Sequence, residues 1–188
     1  MLRDATHSVT VLDLGAGLGG AGHIVRRVAT RARLHATCIG LDVHEQLARV
    51  AAQREGMAVC ANALALPLRD QAVDVTICAL LLHHFDDDAS RQLLREAVRV
   101  SRLGVVVADL QRTRLAEIGL WLASFPLGFH PVSRHDGMLS VRRAFTVAEL
   151  ATLLDQAGGR DTHVTKRAGF RLVGTCRAPR VPSASPPA

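Results

Sequence analysis

Apolar runs short enough to be strands alternate with stretches of helical period along most of the chain. The runs at 9–14, 35–41, 57–61, 73–79 and 103–109 are built mainly from Val, Leu, Ile, Ala and Cys. Runs of this length, bounded by turn signals, fit strands buried on both faces of a sheet. Between them, 19–31, 44–54 and 88–101 carry apolar residues three and four apart, the spacing of one helix face. Crossovers between consecutive parallel strands are almost always right-handed. The order therefore predicts an α/β fold: a Rossmann-like, doubly wound, mostly parallel sheet with helices on both faces.

Downstream, the pattern predicts a helix over 112–124, a long irregular connection over 126–143, and a helix over 146–157. Thr146 caps that last helix, and Glu149 three residues on completes a capping box. Asp88 is the expected N-cap of the helix at 88–101. Two final strands, 162–166 and 170–176, lie close enough for an antiparallel hairpin, which brings the sheet to seven strands. Residues 1–178 read as a single domain, and the Pro, Ser and Ala of 179–188 as a disordered tail.

Aromatic residues make up only 3% of the chain, so the core must be aliphatic. No apolar stretch nears the roughly 20 residues of a membrane span, and the start lacks the basic-then-apolar pattern of a signal peptide. A cytoplasmic protein is expected. Cys38, Cys60, Cys78 and Cys176 are widely spaced, with no CxxC pair, and read as buried reduced thiols. The formal charge of +6 raises the possibility of a nucleic-acid partner. Its distribution argues against one: all the basic residues but Lys166 are Arg and scattered, and Arg91, Arg95 and Arg99 fall on one solvated helix face.

The chemistry concentrates in Val11-Leu12-Asp13-Leu14-Gly15-Ala16-Gly17-Leu18-Gly19-Gly20, a glycine-rich turn from strand to helix. Glycine there permits a tight turn and close approach of a ligand to the backbone. Gly15, Gly17 and Gly20 also satisfy the dinucleotide pattern, with Asp42 at the spacing of a ribose-binding acid. A nicotinamide-dependent oxidoreductase is thus one reading. Asp13 favours another, because a carboxylate beside a pyrophosphate is repelled, whereas one beside an ammonium and a sulfonium is attracted.

On these residues the chain resembles the class I S-adenosylmethionine-dependent methyltransferases, whose first motif is an acid followed by GxGxG. The resemblance continues through Gly40-Leu41-Asp42-Val43, then Asn62-Ala63-Leu64-Ala65-Leu66-Pro67, then Asp74 to Phe85. The last is similar to small-molecule enzymes of the ubiquinone-biosynthesis type. The resemblance implies S-adenosylmethionine as cofactor, with S-adenosylhomocysteine as product, held by Asp13, Gly15, Ala16, Gly17, Gly19, Asp42, Val43, Asn62, Ala63 and Leu80. Asp42 would accept both ribose hydroxyls, Val43 would pack on adenine, and Asn62, where the family usually carries Asp, would accept from the adenine amino group.

Methyl transfer needs positioning above all, with a base where the acceptor carries a proton. His84 and His135 are the candidate catalytic residues, with His83 and His130 as further histidines on the same edge. Arg134, Asp136 and Arg142 are candidate acceptor contacts. Asp86, Asp87 and Asp88 lack accompanying ligands at metal spacing, and no metal is expected. The fourth-strand segment lacks the Asn/Asp-Pro-Pro-aromatic signature of base methylases. The expected acceptor is a small molecule, foremost a hydroxyl of an aromatic or polyketide-like metabolite, with carbon methylation next. Eight residues precede Val9, too few for the helices that close over the cofactor in the family. A truncated start, a homodimer or partner chain covering the open site, and a non-catalytic cofactor-binding module all follow as alternatives.

Overall fold

The structure is a computed structural model that describes residues 8–124, 128 and 130–179. Seven strands, β1 (Ser8–Leu14), β2 (His35–Asp42), β3 (Ala58–Cys60), β4 (Val73–Ala79), β5 (Ser101–Leu110), β6 (Arg160–Arg167) and β7 (Arg171–Arg177), form one sheet. Their order is β3-β2-β1-β4-β5-β7-β6. The first five strands are parallel, and β7 runs antiparallel to both β5 and β6. The alternation of strands and helices, the parallel core and the terminal hairpin all agree with the sequence. The tail at 180–188 and the residues before Ser8 lie outside the described residues.

Among the described residues there are six α-helices: α1 (Ala21–Arg31), α2 (Glu45–Glu55), α3 (Asp87–Val100), α4 (Arg114–Ser124), α5 (Pro131–Arg143) and α6 (Val147–Gln156). Helices α1 and α2 pack against β1, β2 and β3, while α3 and α6 pack on β4 to β7 and on each other. The alternation within β1 shows how two faces are served. Leu12 and Leu14 join Leu41, Leu93, Leu94, Leu150, Leu154 and Leu172 in the larger core, while Val9 and Val11 join Val75 on the opposite side. The core is almost wholly aliphatic, as the scarcity of aromatics requires.

Four expectations need correction. The connection expected over 126–143 contains α5, capped by His130, whose side chain accepts from Val132 N (3.3 Å), with Pro131 in its first turn. Gly137 in its interior costs about 1 kcal/mol of helix propensity, and Ser133 and Ser140 add no helical stripe, so the segment has no helical signature of its own. The N-cap of α3 is Asp86 and not Asp88: Asp86 Oδ1 accepts from Ala89 N (2.8 Å), and Asp88 pairs instead with Arg91. Three adjacent acids offered no local means of choosing between them. Cys60, at the end of edge strand β3, is exposed; the other three cysteines are buried, and all four are free thiols. Burial pushes the Cys176 thiol up to about 11, and burial chiefly raises Cys78 as well, with Asp109 and Asp13 adding to it.

Arg99 is the fourth correction, since it is not simply one of a solvated row. It donates to the backbone carbonyls of Leu66 (3.2 Å) and Leu68 (2.8 Å) and pairs with Asp70 and Glu96. It thereby ties the loop before β4 to the end of α3. The capping box on α6 forms as expected, with Thr146 N donating to Glu149 Oε2 (2.8 Å) and Glu149 N donating to Thr146 Oγ1 (3.3 Å). Among the described residues no helix is long and apolar enough to cross a membrane.

Candidate active site

The chain order of the strands reverses between β1 and β4, and ligands in open α/β sheets collect at the carboxyl ends of the strands beside such a reversal. Parallel register places Leu14 level with both Leu41 and Cys78. The residues that follow these three, the glycine loop, Asp42-Val43 and Leu80-Leu81, are thus brought to one edge. Together with 61–63 and the turn at Leu82–His84 they enclose a cleft of about 510 Å³, within the usual range for a small-molecule site.

Gly15 opens the loop at φ +67°, and a Cβ there would stand 2.7 Å from Leu81 Cδ1. Both its left-handed backbone and the close seat of Leu81 require glycine. The loop is pinned from below by Ala16 N donating to Leu41 O (2.9 Å) and internally by Gly19 N donating to Ala16 O (2.8 Å). Gly17 N donates to Asp42 Oδ2 (3.0 Å), so the loop also orients the acid at the end of β2.

Asp42 is nearly buried, and its other oxygen accepts from His44 N (2.9 Å), with His44 Nδ1 at 3.3 Å. A carboxylate offers about four lone-pair sites, and these backbone bonds leave acceptor capacity on both oxygens. Apolar surface surrounds it: Val43 and Leu80 are exposed at the cleft, beside Ala61 and Ala63. Leu80 has a left-handed backbone, φ +53°, held by Leu80 N donating to Ala108 O (2.8 Å). For a non-glycine residue this is a strained conformation, of the kind that concentrates at functional sites.

Of the ten residues singled out for cofactor contact, Gly15, Asp42, Val43, Asn62, Ala63 and Leu80 line the cleft. Ala16, Gly17 and Gly19 serve it from behind by shaping the loop and seating Asp42. Asp13 is buried at the end of β1, beneath that loop. Asn62 Oδ1 accepts from Leu64 N (2.9 Å), closing a local turn with one of the lone pairs expected to meet a ligand.

The two histidines differ sharply in environment. His83 is buried, with Nδ1 2.6 Å from Asp109 Oδ1. His84 is exposed and its ring lies against that of His83, with centroids 4.2 Å apart. Burial chiefly, then His83 and, against the pull of Asp109, Arg143, hold the His84 pKa below the ordinary histidine value. Neutral at physiological pH, it can accept a proton. It lines both the cleft and an adjoining groove that contains Arg112 and Arg143.

The acceptor-side candidates separate differently. His135 and Asp136 are exposed on α5, away from both hollows. Arg142 donates through Nε to Glu117 Oε1 (2.6 Å), bridging α5 to α4. The side chain of Arg134 lies outside the described residues. Phe85, Arg112 and Arg143, which line the groove together with His84 and with Asp86, Asp87 and Asp88, were not foreseen as contacts. Phe85 and Arg143 stood at the ends of segments already singled out, but Arg112 gave no sign. Among the described residues no group of three or more His, Cys, Asp or Glu is arranged to hold a metal.

Comparison with solved structures returns the same fold. A SAM-dependent methyltransferase from Aquifex aeolicus shares 17% identity over 94% of this chain and 87% of its own, with a TM-score of 0.63. The magnesium protoporphyrin IX methyltransferase of Synechocystis, with bound S-adenosylhomocysteine, shares 14% over 92% and 74%, at 0.60. A Haloferax volcanii methyltransferase in complex with the Trm112 activator shares 16% over 94% and 85%, at 0.64. Among curated protein sequences none matches the chain. The family model described as a methyltransferase domain matches residues 12–108, from within β1 to near the end of β5. That span carries the whole glycine loop, the Asp42 strand end and the histidine turn, and it decides between the two readings of the glycine pattern: this chain belongs to the methyltransferase domain family, the class I fold whose methyl donor is S-adenosylmethionine.

Proposed function

We propose that this chain transfers the methyl group of S-adenosylmethionine to a small-molecule acceptor, foremost a hydroxyl of an aromatic or polyketide-like compound. The observation that supports it best is Asp42. Its oxygens are fixed by Gly17 and His44 amides in a largely apolar cleft. Two adjacent acceptor oxygens match the vicinal hydroxyls of a ribose, and the neighbouring apolar surface of Val43, Ala63 and Leu80 matches a purine.

The cleft fits the cofactor in other respects. Gly15 lines the cleft without a side chain, and the place a Cβ would take is already occupied by Leu81, so the loop lies close against the turn after β4. When bound, the cofactor supplies an electrophilic methyl on a sulfonium and is left as S-adenosylhomocysteine. The protein's own part is positional. Asp42 orients the ribose, the Asn62 side chain meets the purine edge, and the buried Asp13 carboxylate favours the cationic amino-acid end. Neutral His84, at the junction of cleft and groove, receives the proton of an acceptor hydroxyl.

Parallel calorimetric titrations with S-adenosylmethionine, S-adenosylhomocysteine and NADH test this reading, with Asp42→Ala as the control. Micromolar binding of both sulfur compounds that weakens by about 1–3 kcal/mol in the variant is expected from the lost ribose hydrogen bonds. Binding of NADH alone would assign the cleft to a dinucleotide and overturn the proposal.

A further inference from the structure

A second hollow opens beside the cofactor cleft and shares His84 and Phe85 with it. It measures about 720 Å³ and is strongly polar, lined by Asp86, Asp87 and Asp88 as well as by Arg112 and Arg143. An isolated bridge pairs Gln111 with Phe145, and Arg112 N donates to Phe145 O (2.9 Å). This contact ties the exit of β5 to the segment after α5 and so brings Arg112 and Arg143 to one groove. Any acceptor approaching a cofactor in the neighbouring cleft by way of His84 passes these guanidiniums.

The charges of this region are largely spent on one another. Asp88 pairs with Arg91 (2.5 Å), Asp86 caps α3, and Glu149 pairs with Arg112 while closing the capping box. Asp87 stands in the first turn of α3, where the helix dipole offsets its charge. Arg142 is held by Glu117, away from the groove. Arg143 is different. It is exposed at the groove, and among the described residues no hydrogen bond or ion pair engages its side chain.

We infer that Arg143 receives an anionic group of the acceptor, so that the compound methylated here is a hydroxy acid and not a neutral alcohol or phenol. The inference rests on reading the neighbouring cleft as the cofactor site. A planar guanidinium presents a fork of donors that matches a carboxylate. Anchoring a carboxylate at Arg143 leaves the rest of a small acceptor reaching back toward His84, where its hydroxyl proton is to be taken up.

Calorimetry on the protein loaded with S-adenosylhomocysteine tests this, using 4-hydroxybenzoate and 4-hydroxybenzamide, a pair alike in shape and different in charge. The carboxylate is expected to bind about tenfold or more tightly than the amide. Arg143→Gln should bring the two within about twofold and leave S-adenosylhomocysteine affinity unchanged, while Arg142→Gln should keep the preference. Absent binding of 4-hydroxybenzoate, equal affinities in the unaltered protein, or a preference that survives Arg143→Gln or vanishes in Arg142→Gln overturns the inference. Failure of S-adenosylhomocysteine to bind would sink the methyltransferase reading instead. The same titrations on the free protein then decide the anion site by the same criteria.

Discussion

Asp109 holds His83 from within the core: Oδ1 lies 2.6 Å from the imidazole Nδ1, and both side chains are almost wholly buried. The same carboxylate accepts from Leu82 N (2.8 Å) and Leu110 N (2.7 Å). One acid thus fixes the turn after β4 against the end of β5, and through the contact between the two tilted rings it sets the place of His84. Asp109→Ala takes the partner from two buried groups, Leu82 N and the His83 ring, and from the part-buried Leu110 N, and removing one member of a buried network costs more than the network's net worth. A loss of about 2–4 kcal/mol in urea unfolding is expected, or roughly 5–15 °C in Tm for a chain of this size. Asp109→Asn keeps one acceptor oxygen and should lose less. Equal stability of Asp109→Ala and the unaltered protein would show that the turn does not depend on this contact.

Gly15→Ala separates backbone strain from steric conflict. An L-residue at φ +67° carries about 1–2 kcal/mol of strain, and the added methyl meets Leu81 at 2.7 Å. Both stability and cofactor affinity should fall. In the Gly15→Ala, Leu81→Ala double variant the clash is gone and the strain remains, so the double variant should be less destabilised than the sum of the single changes. Thermal unfolding of the four proteins checks this, and strict additivity would show that Leu81 yields freely.

Arg99 is expected to matter for stability more than its place on the outer half of α3 suggests. Its guanidinium satisfies the carbonyls of Leu66 and Leu68 and pairs with Asp70 and Glu96. Arg99→Ala should cost about 1–2 kcal/mol. The hydrogen bonds from Arg99 chiefly hold the Glu96 carboxyl below its ordinary range. A carboxyl lowered in the folded state contributes stability above its unfolded pKa, near 4.3, and loses it as pH falls through the lowered folded value. The stability gap between the two proteins should therefore narrow on acidification below about pH 4. Urea unfolding at several pH values measures it, and a gap that stays constant would separate Arg99 from the titration of Glu96.

The two halves of the site were not equally legible in the sequence. On the cofactor side, Gly15, Asp42 and Leu80 each sit just past or at the end of a parallel strand. Strand register converts their spacing along the chain into neighbourhood in space. On the acceptor side the decisive fact is which of two adjacent arginines turns toward the groove. That is a rotation of about 100° along a helix, set by where α5 begins. The helix begins at a His130 cap with Pro131 behind it, and neither residue announces a helix that lacks an apolar stripe. Arg112 was invisible for a related reason, since its position depends on the pairing of Gln111 with Phe145, a contact between segments far apart in sequence.

The pH dependence of turnover follows from His84. Burial, His83 and Arg143 disfavour its protonated form, so its pKa in the folded protein lies below the ordinary value near 6.5. As the acceptor of a hydroxyl proton it must be neutral, which it is at physiological pH and ceases to be as pH falls through the lowered value. The acid limb of kcat/KM should thus fall at a pH below that of an unperturbed histidine, and His84→Gln should lower kcat and remove the limb while leaving S-adenosylhomocysteine affinity nearly unchanged. Arg143→Gln takes away one of the groups that lowers the pKa, so the limb should move to higher pH in that variant. A pH profile unaltered in His84→Gln would reject the histidine as base and leave the acceptor to lose its proton to solvent.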